Sequence, residues 1–283
     1  MDAIMFSPHS RNVQLKSFHL KFRYKFWDAN ADCSTFDKWI EAAKQRRVEY
    51  LNLINIPLAP TTIFCCKTLV VLRLMSIRVA NMFHCSVDLP VLKTLDLFNV
   101  RFDAMENLMR LISGCPVLEN LKTSYVVARV AVTAGEYFKP LSKLFKAHIN
   151  LFEVPLRAVY NVQFLTIFQM GKIHRNEEIS SYYKGFPVFG NLTILQLCWW
   201  FEGIHDWDEV VKMLQNCPKL QTLKIVKRSN SRTKEGWKKP CHAPECVSSH
   251  LTTCKIEGYK AVKADFRFAT YIMQNARLLQ RAV

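Results

Sequence analysis

Glycine is scarce in this chain, with 8 in 283 residues, and none of them builds a phosphate-cradling Gly-rich loop. A nucleophile elbow and a His-Glu-x-x-His metal helix are equally missing. With these patterns absent, no catalytic residue and no cofactor-binding residue is assigned, and no bound cofactor is expected. Long apolar runs are also lacking: stretches such as Cys198-Trp199-Trp200-Phe201 fall far short of the roughly 18 residues that a bilayer span requires. The first residues, Met1-Asp2-Ala3-Ile4-Met5-Phe6, carry neither a basic leader followed by an apolar region nor an Arg-rich amphipathic pattern, so the expected location is the cytoplasm or nucleus, away from any membrane. Acidic residues are few, 23 against 39 Lys and Arg, and the formal net charge is +16. Such an excess speaks about partners, acidic proteins or nucleic acid, and not about the fold. With half its residues apolar and 22% charged, the chain is folded and has enough material for one large core or two smaller ones.

What the chain does contain is a repeat. An apolar residue, two variable residues, a second apolar residue, one variable residue and a third apolar residue recur as Val48-Glu49-Tyr50-Leu51-Asn52-Leu53, Leu69-Val70-Val71-Leu72-Arg73-Leu74 and Leu92-Lys93-Thr94-Leu95-Asp96-Leu97. The frame returns at Leu118-Glu119-Asn120-Leu121, at Leu192, at Leu220 and, with Cys254 replacing one Leu, at Leu251; weaker copies start at Leu141 and Val162. The steps between copies are roughly 21–31 residues, close to the roughly 20–29 of a leucine-rich repeat. The last two apolar positions are two apart, so they face one side of a short strand while the residue between them faces the other. Parallel stacking buries each inward Leu against the copies above and below, and the return segments cover that side. The expected fold is therefore α/β: a leucine-rich-repeat solenoid, a curved parallel sheet with helices on its convex side.

Several return segments read as helices. Asp103 to Ile112 has Asp103 as N-cap, Glu106 in the capping-box position and Gly114 as a left-handed stop before Cys115-Pro116. Asp206 to Asn216 repeats the logic with Asp206 as cap, Glu209 in the box position and Cys217-Pro218 at the end. Ser34 to Arg46 and Asp265 to Gln280 are two more, the last presenting Phe268, Ile272, Ala276 and Leu279 on one side. Composition shifts at residues 171–185, where charges, serines and tyrosines interrupt the apolar pattern, and this is the expected domain boundary. Lys227 to Pro240 reads as a basic surface loop. The ten cysteines sit where small apolar residues would, and without a leader they read as reduced, mostly buried thiols.

The residues resemble a known family. Trp39-Ile40-Glu41-Ala42-Ala43-Lys44-Gln45-Arg46-Arg47-Val48-Glu49-Tyr50-Leu51-Asn52-Leu53, Leu89-Pro90-Val91-Leu92-Lys93-Thr94-Leu95 and Ser113-Gly114-Cys115-Pro116-Val117-Leu118-Glu119 look like the repeats of plant F-box/FBD/LRR-repeat proteins. Gln215-Asn216-Cys217-Pro218-Lys219-Leu220, Pro244-Glu245-Cys246-Val247-Ser248-Ser249-His250-Leu251 and Tyr271-Ile272-Met273-Gln274-Asn275-Ala276-Arg277 are similar to the FBD domain that follows them. The resemblance runs from about Ser17 to Leu279 in family order and implies residues 1–30 as a connector, 31–185 as leucine-rich repeats and 186–283 as the FBD domain. It also implies a protein-binding scaffold: the substrate-recognition part of a cullin-type ubiquitin ligase receptor, holding a protein substrate. No stretch before Ser17 resembles an F-box, so the expected molecule does not dock on the ligase adaptor itself. After the last helix the family continues into one more short strand, and the chain, stopping at Val283, is expected to depart from the family there.

Side-chain alternation names the expected partner-binding residues on the concave face: Asn52, Arg73, Asp96, Lys122, Gln196, Lys224 and Lys255. They are mixed but mainly basic, which suits an acidic protein surface. The alternative is a basic nucleic-acid-associated protein, in which Lys227, Arg228, Arg232, Lys234, Lys238 and Lys239 surround an exposed Trp237. Cys241, His242, Cys246, His250 and Cys254 offer sulfur and imidazole for zinc, but their spacing matches no strong finger pattern and Cys254 holds an inward Leu position, so packed thiols are preferred and no metal is assigned.

Overall fold

A computed structural model describes residues 13–22, 34–80, 82, 85–128, 141–150, 153–168, 186–199, 204–227, 232–233, 236–259 and 262–282. The chain divides into two compact units, Met1–Leu144 and Phe145–Val283. The first contains β1 (Ser17–Lys21), α1 (Ser34–Gln45), β2 (Tyr50–Ile54), β3 (Val71–Val79), β4 (Thr94–Phe102), α2 (Met105–Ser113), β5 (Asn120–Ser124) and β6 (Val127–Ala128). Its strands lie in the order β1-β2-β3-β4-β5, all parallel, and the far end of β4 pairs with β6.

The register follows the repeat frame. Phe18, Leu51, Leu72, Leu95 and Leu121 are lateral neighbours in one column, and Leu20, Leu53, Leu74, Leu97 and Thr123 in the next. All ten are buried. Fully burying a Leu is worth about 1.5–3 kcal/mol, so the two columns are a major source of the unit's stability. Phe36, Ile40 and Ala43 of α1, Ile63 and Phe64 of a 3-10 turn, and Leu108, Met109 and Ile112 of α2 supply further buried apolar surface from the return segments.

Successive repeats begin their strands in one way. The Glu49 carbonyl accepts from the N–H groups of both Val70 (2.8 Å) and Val71 (3.0 Å), the Val70 carbonyl from Lys93 and Thr94, and the Lys93 carbonyl from Glu119 and Asn120. Just before each start a turn closes: the N–H of Leu92 donates to the Leu89 carbonyl and that of Leu118 to the Cys115 carbonyl. Proline fits the second position of such a turn because its ring pre-sets φ, which accounts for Pro90 and Pro116. The cysteine has its own reason. Cys115 Sγ donates to the Leu111 carbonyl at 3.1 Å, satisfying an acceptor that the end of α2 leaves open.

Each frame also ends alike. Asn55, Ser76, Asn99 and Tyr125 occupy equivalent positions two residues past the second buried column, and all have left-handed φ of 51–58°. Asparagine tolerates this region, and two of the four are Asn.

The second unit contains β7 (Lys146–Asn150), β8 (Phe164–Phe168), β9 (Ile194–Trp199), β10 (Ile204–His205), α3 (Trp207–Gln215), β11 (Thr222–Lys227), β12 (Arg232–Thr233), α4 (Glu245–Ser249), β13 (Thr253–Glu257), α5 (Lys263–Asn275) and β14 (Arg281–Ala282). Its main sheet runs β7-β8-β9-β11-β13-β14, again parallel, while β10 and β12 form a separate pair. Ala147, Leu165, Leu195, Leu223, Cys254 and Ala282 make one column, and Ile149, Ile167, Leu197, Ile225 and Ile256 the next. The turn device recurs: the Leu220 N–H donates to the Cys217 carbonyl (3.2 Å) and Cys217 Sγ to the Met213 carbonyl (3.1 Å). Gly258 takes the left-handed frame-end position at φ +73°, and a Cβ there would lie 2.1 Å from the Lys227 carbonyl oxygen, so only glycine fits.

The heart of this unit is a buried ion pair in an aromatic box. Lys227 Nζ pairs with Asp265 Oδ2, both side chains 1% exposed or less. Trp207 Nε1 donates to Asp265 Oδ1 at 3.3 Å, and the ammonium lies 5.4 Å from the Trp199 ring centre and 5.6 Å from that of Trp207. Trp207 in turn stacks on Phe268 at 3.9 Å. The pair ties α5 to the end of β11.

Six details differ from the expectations. The short strand of the family after the last helix is present as β14, paired with β13 through Thr253 and Cys254. The copy read at Leu141 begins at Leu144, because Leu141 instead accepts the turn hydrogen bond from Leu144 and the inward positions are Ala147 and Ile149. Asp103 does not cap α2; Ala104 precedes the helix, and Asp103 Oδ1 accepts from Arg78 Nε at 3.1 Å. Gly114 has φ −77° and is no left-handed stop; its Cβ would lie 2.4 Å from Val87 Cγ1, so the requirement is space. Asp265 does not begin its helix but lies within α5, held by Lys227. Glu209 pairs with Lys212 at 3.0 Å, while Asp206 does cap α3 by accepting from the Asp208 N–H.

Asp265→Ala leaves Lys227 buried without its counter-charge, and the expected loss is about 3–5 kcal/mol of unfolding free energy. Urea denaturation of the full chain measures it; a loss below about 1 kcal/mol, the worth of an exposed pair, contradicts the buried geometry.

Candidate functional site

The face opposite the buried columns is built by the residues between them. In the first unit His19, Asn52, Arg73, Asp96 and Lys122 are lateral neighbours across β1 to β5. In the second, His148, Thr166, Gln196, Lys224 and Lys255 form the corresponding line across β7, β8, β9, β11 and β13. The seven residues named from alternation thus fall into two ladders, four in one unit and three in the other. His19, His148 and Thr166 complete the ladders but escaped the sequence reading.

Charge on the ladders is interleaved. Asp96 Oδ2 lies 3.9 Å from both Arg73 Nε and Lys122 Nζ. Glu257, two residues beyond Lys255 on the same face, accepts from Lys224 Nζ at 3.1 Å and Lys255 Nζ at 3.0 Å. These hydrogen bonds hold the Glu257 carboxyl below its usual range. Each carboxylate therefore serves two cations, and the basic excess is smaller than the residue types alone suggest. Solvent screens exposed pairs of this kind, so they set a charge pattern more than they stabilise the fold.

Aromatic side chains flank the first ladder. The Arg73 guanidinium lies 5.5 Å from the Tyr50 ring centre, and Tyr50 stacks on His19 at 4.9 Å. Phe98, 37% exposed, meets Tyr125, 53% exposed, edge to face at 5.7 Å. Tyr50 and Phe98 follow from the same alternation, two residues from Asn52 and Asp96. Tyr125 does not, since its direction depends on the left-handed kink. In the second ladder Gln196 Nε2 donates to Cys198 Sγ at 3.3 Å.

The basic-loop alternative loses two of its members. Trp237 is 3% exposed and packs edge to face on Phe268 and Tyr271, while Lys227 is consumed by Asp265. Neither can grip a base. Arg228 and Lys234 lie outside the described residues. Of the candidate metal ligands, Cys241 is exposed, whereas Cys246 is buried and donates to the Leu214 carbonyl at 3.3 Å. Burial pushes the Cys246 thiol up to about 11 and that of Cys254 up to about 12, so both remain neutral. Among the described residues no three His, Cys, Asp or Glu side chains are gathered to hold a metal ion, and no helix is long and apolar enough to cross a membrane.

Parallel strands in frame register, joined by helices and turns and presenting ladders of polar side chains, define a leucine-rich-repeat α/β protein. Comparison with known proteins agrees: the family described as FBD-associated F-box protein At5g56370, LRR repeats, matches residues 36–134, and the FBD family matches residues 239–283. FBD-associated F-box protein At3g52670 of Arabidopsis thaliana is 27% identical over 301 residues, covering 94% of this chain and 70% of that protein. F-box/FBD/LRR-repeat protein At4g26340 of the same plant is 27% identical over 314 residues, covering 89% and 72%, and FBD-associated F-box protein At4g10400 is 27% identical over 308 residues, covering 92% and 73%. Along most of its length the chain is thus similar to plant F-box/FBD/LRR-repeat proteins, with the LRR match preceding the FBD match.

Glu257 supplies a test of the interleaved charge. With its carboxyl held down by two ammonium groups, the bridge is fully formed above the ordinary carboxylate range and is lost only as pH falls through the depressed value. A carbon-detected titration should give a midpoint below 4.5, moving up in Lys224→Ala and further in Lys224→Ala/Lys255→Ala. An unchanged midpoint in the double variant contradicts the bridge.

Proposed function

We propose that this chain is a protein-binding scaffold, working in the cytoplasm or nucleus as the substrate-recognition part of a cullin-type ubiquitin ligase receptor of the F-box kind. The ladders, Asn52, Arg73, Asp96 and Lys122 in one unit and Gln196, Lys224 and Lys255 in the other, are the proposed partner-binding residues. One observation carries the reading: successive repeats deliver side chains of the same frame position to one line, with cations alternating around Asp96 and Glu257. A partner that brings carboxylates to Arg73, Lys122, Lys224 and Lys255 competes with acids already present, so the pattern selects by charge spacing more than by total charge. Tyr50, Phe98 and Tyr125 beside the first ladder are residue types that supply contact area at interfaces. The role involves no catalytic step and no cofactor.

The test is capture from a plant extract, with and without nuclease, by the full chain and by Arg73→Glu/Lys122→Glu/Lys224→Glu. The expected result is a discrete protein partner held by the first and lost by the second. Equal capture by both contradicts the ladder reading, and capture that vanishes with nuclease and falls steeply with salt favours nucleic acid instead.

A further inference from the structure

Helix α5 buries Ala264, Asp265, Phe268, Tyr271 and Ile272, as an amphipathic helix should, yet its other side is not wholly polar. Phe266 is 60% exposed and Met273 55% exposed, two turns apart and so on one outward line. On one side of Phe266 lies a hollow of about 310 Å³, lined by Ile256, Tyr259, Phe266, Ile272, Met273 and Leu279 among others, with no charged side chain in its wall. On the other side lies a second hollow of about 520 Å³, walled by Trp237, Lys238, Lys239, Arg267, Tyr271 and Gln274 and sharing Phe266 with the first. No acid lines either one. Arg267 Nη1 donates to the Trp237 carbonyl at 3.2 Å, which fixes the floor of the second hollow. Lys238 and Lys239 are exposed and make no ion pair among the described residues.

We propose that this outer face of α5 is a second docking site, separate from the ladders, for an acidic peptide segment carrying one apolar anchor residue. The anchor fills the apolar hollow beside Met273, and carboxylates on its flank meet Lys238, Lys239 and Arg267 across Phe266. Charge decides the occupant. Two copies of this chain meeting here about a two-fold axis would set these cations against their own counterparts, in a molecule of formal charge +16, so self-association is disfavoured. An anionic bilayer, the competing class, meets the cations but offers no single side chain to seat in the apolar hollow. An acidic peptide satisfies both halves, and its apolar anchor covers surface that water otherwise wets. The site stands on its own observations and does not depend on the ladder reading.

The experiment uses the purified full chain and three short fluorescein-labelled peptides that share a Leu-Phe anchor and differ in flanks of Glu, Gln or Lys, read by fluorescence polarisation. Vesicles of phosphatidylcholine with phosphatidylserine are the second probe. The Glu-flanked peptide should bind best, with its affinity lowered about tenfold or more by Phe266→Ser and, separately, by Lys238→Glu/Lys239→Glu. Because these side chains are exposed, the thermal midpoint should be unchanged in both variants, and Arg73→Glu/Lys122→Glu/Lys224→Glu should bind the peptide as the parent does. No binding of the Glu-flanked peptide, equal binding of all three, unchanged affinity in both variants, or binding to the vesicles alone overturns the proposal.

Discussion

A parallel strand can pair with its predecessor in only one useful register when one of its faces must be dry. Slipping by one residue would carry Leu72 and Leu74 to the wet face and bring Arg73 into the core. The shared carbonyls at each strand start, Glu49 and Val70 in the first unit and Gln221 in the second, hold that register from the backbone side, while the stacked leucines hold it from the side-chain side. Everything on the open face inherits its position from this agreement. The ladder residues have no scaffold of their own.

The same agreement explains the odd residues around it. Cysteine and proline before Leu118 and Leu220 are parts of one device, in which the ring sets the turn and the thiol donates to a carbonyl of the last helical turn. Left-handed residues at the frame end kink the chain after the second buried column, and beyond Ser76 and Asn99 the pairing of β3 with β4 resumes at Ile77 and Val100. In the second unit that kink falls at Gly258, packed against Lys227, the residue that also anchors α5 through Asp265. A charge inside the core is thereby made part of the joint between a strand and the last helix.

Much of this was legible from alternation. The frame located β2, β3, β4, β5, β8, β9, β11 and β13, and with them all seven ladder residues. It missed β1, where Phe18 and Leu20 carry the pattern alone, and it began β7 three residues early because Ala147 stands where a Leu was sought. Helix caps were less legible: Asp103 looked like a cap by type, but Arg78, 25 residues away, claims its carboxylate. Lys227 and Trp237 were read as exposed because charge runs are usually solvated. Their burial depends on Asp265, 38 residues on, and on Phe268 and Tyr271, partners that no local window contains. The interleaving of Asp96 and Glu257 between cations likewise depends on lateral neighbours in adjacent strands and appears only once the register is in hand.

Disulfide trapping across the first ladder tests that register most directly. Lateral neighbours on one face of a parallel pair bring their Cα atoms within the roughly 4.4–6.8 Å that a disulfide spans, whereas neighbours pointing to opposite faces cannot bridge. Arg73→Cys/Asp96→Cys should therefore cross-link under mild oxidation with the native fold retained, and Arg73→Cys/Leu95→Cys should not. Cross-linking of the second pair, or of neither, would contradict the register from which every ladder and site above is built.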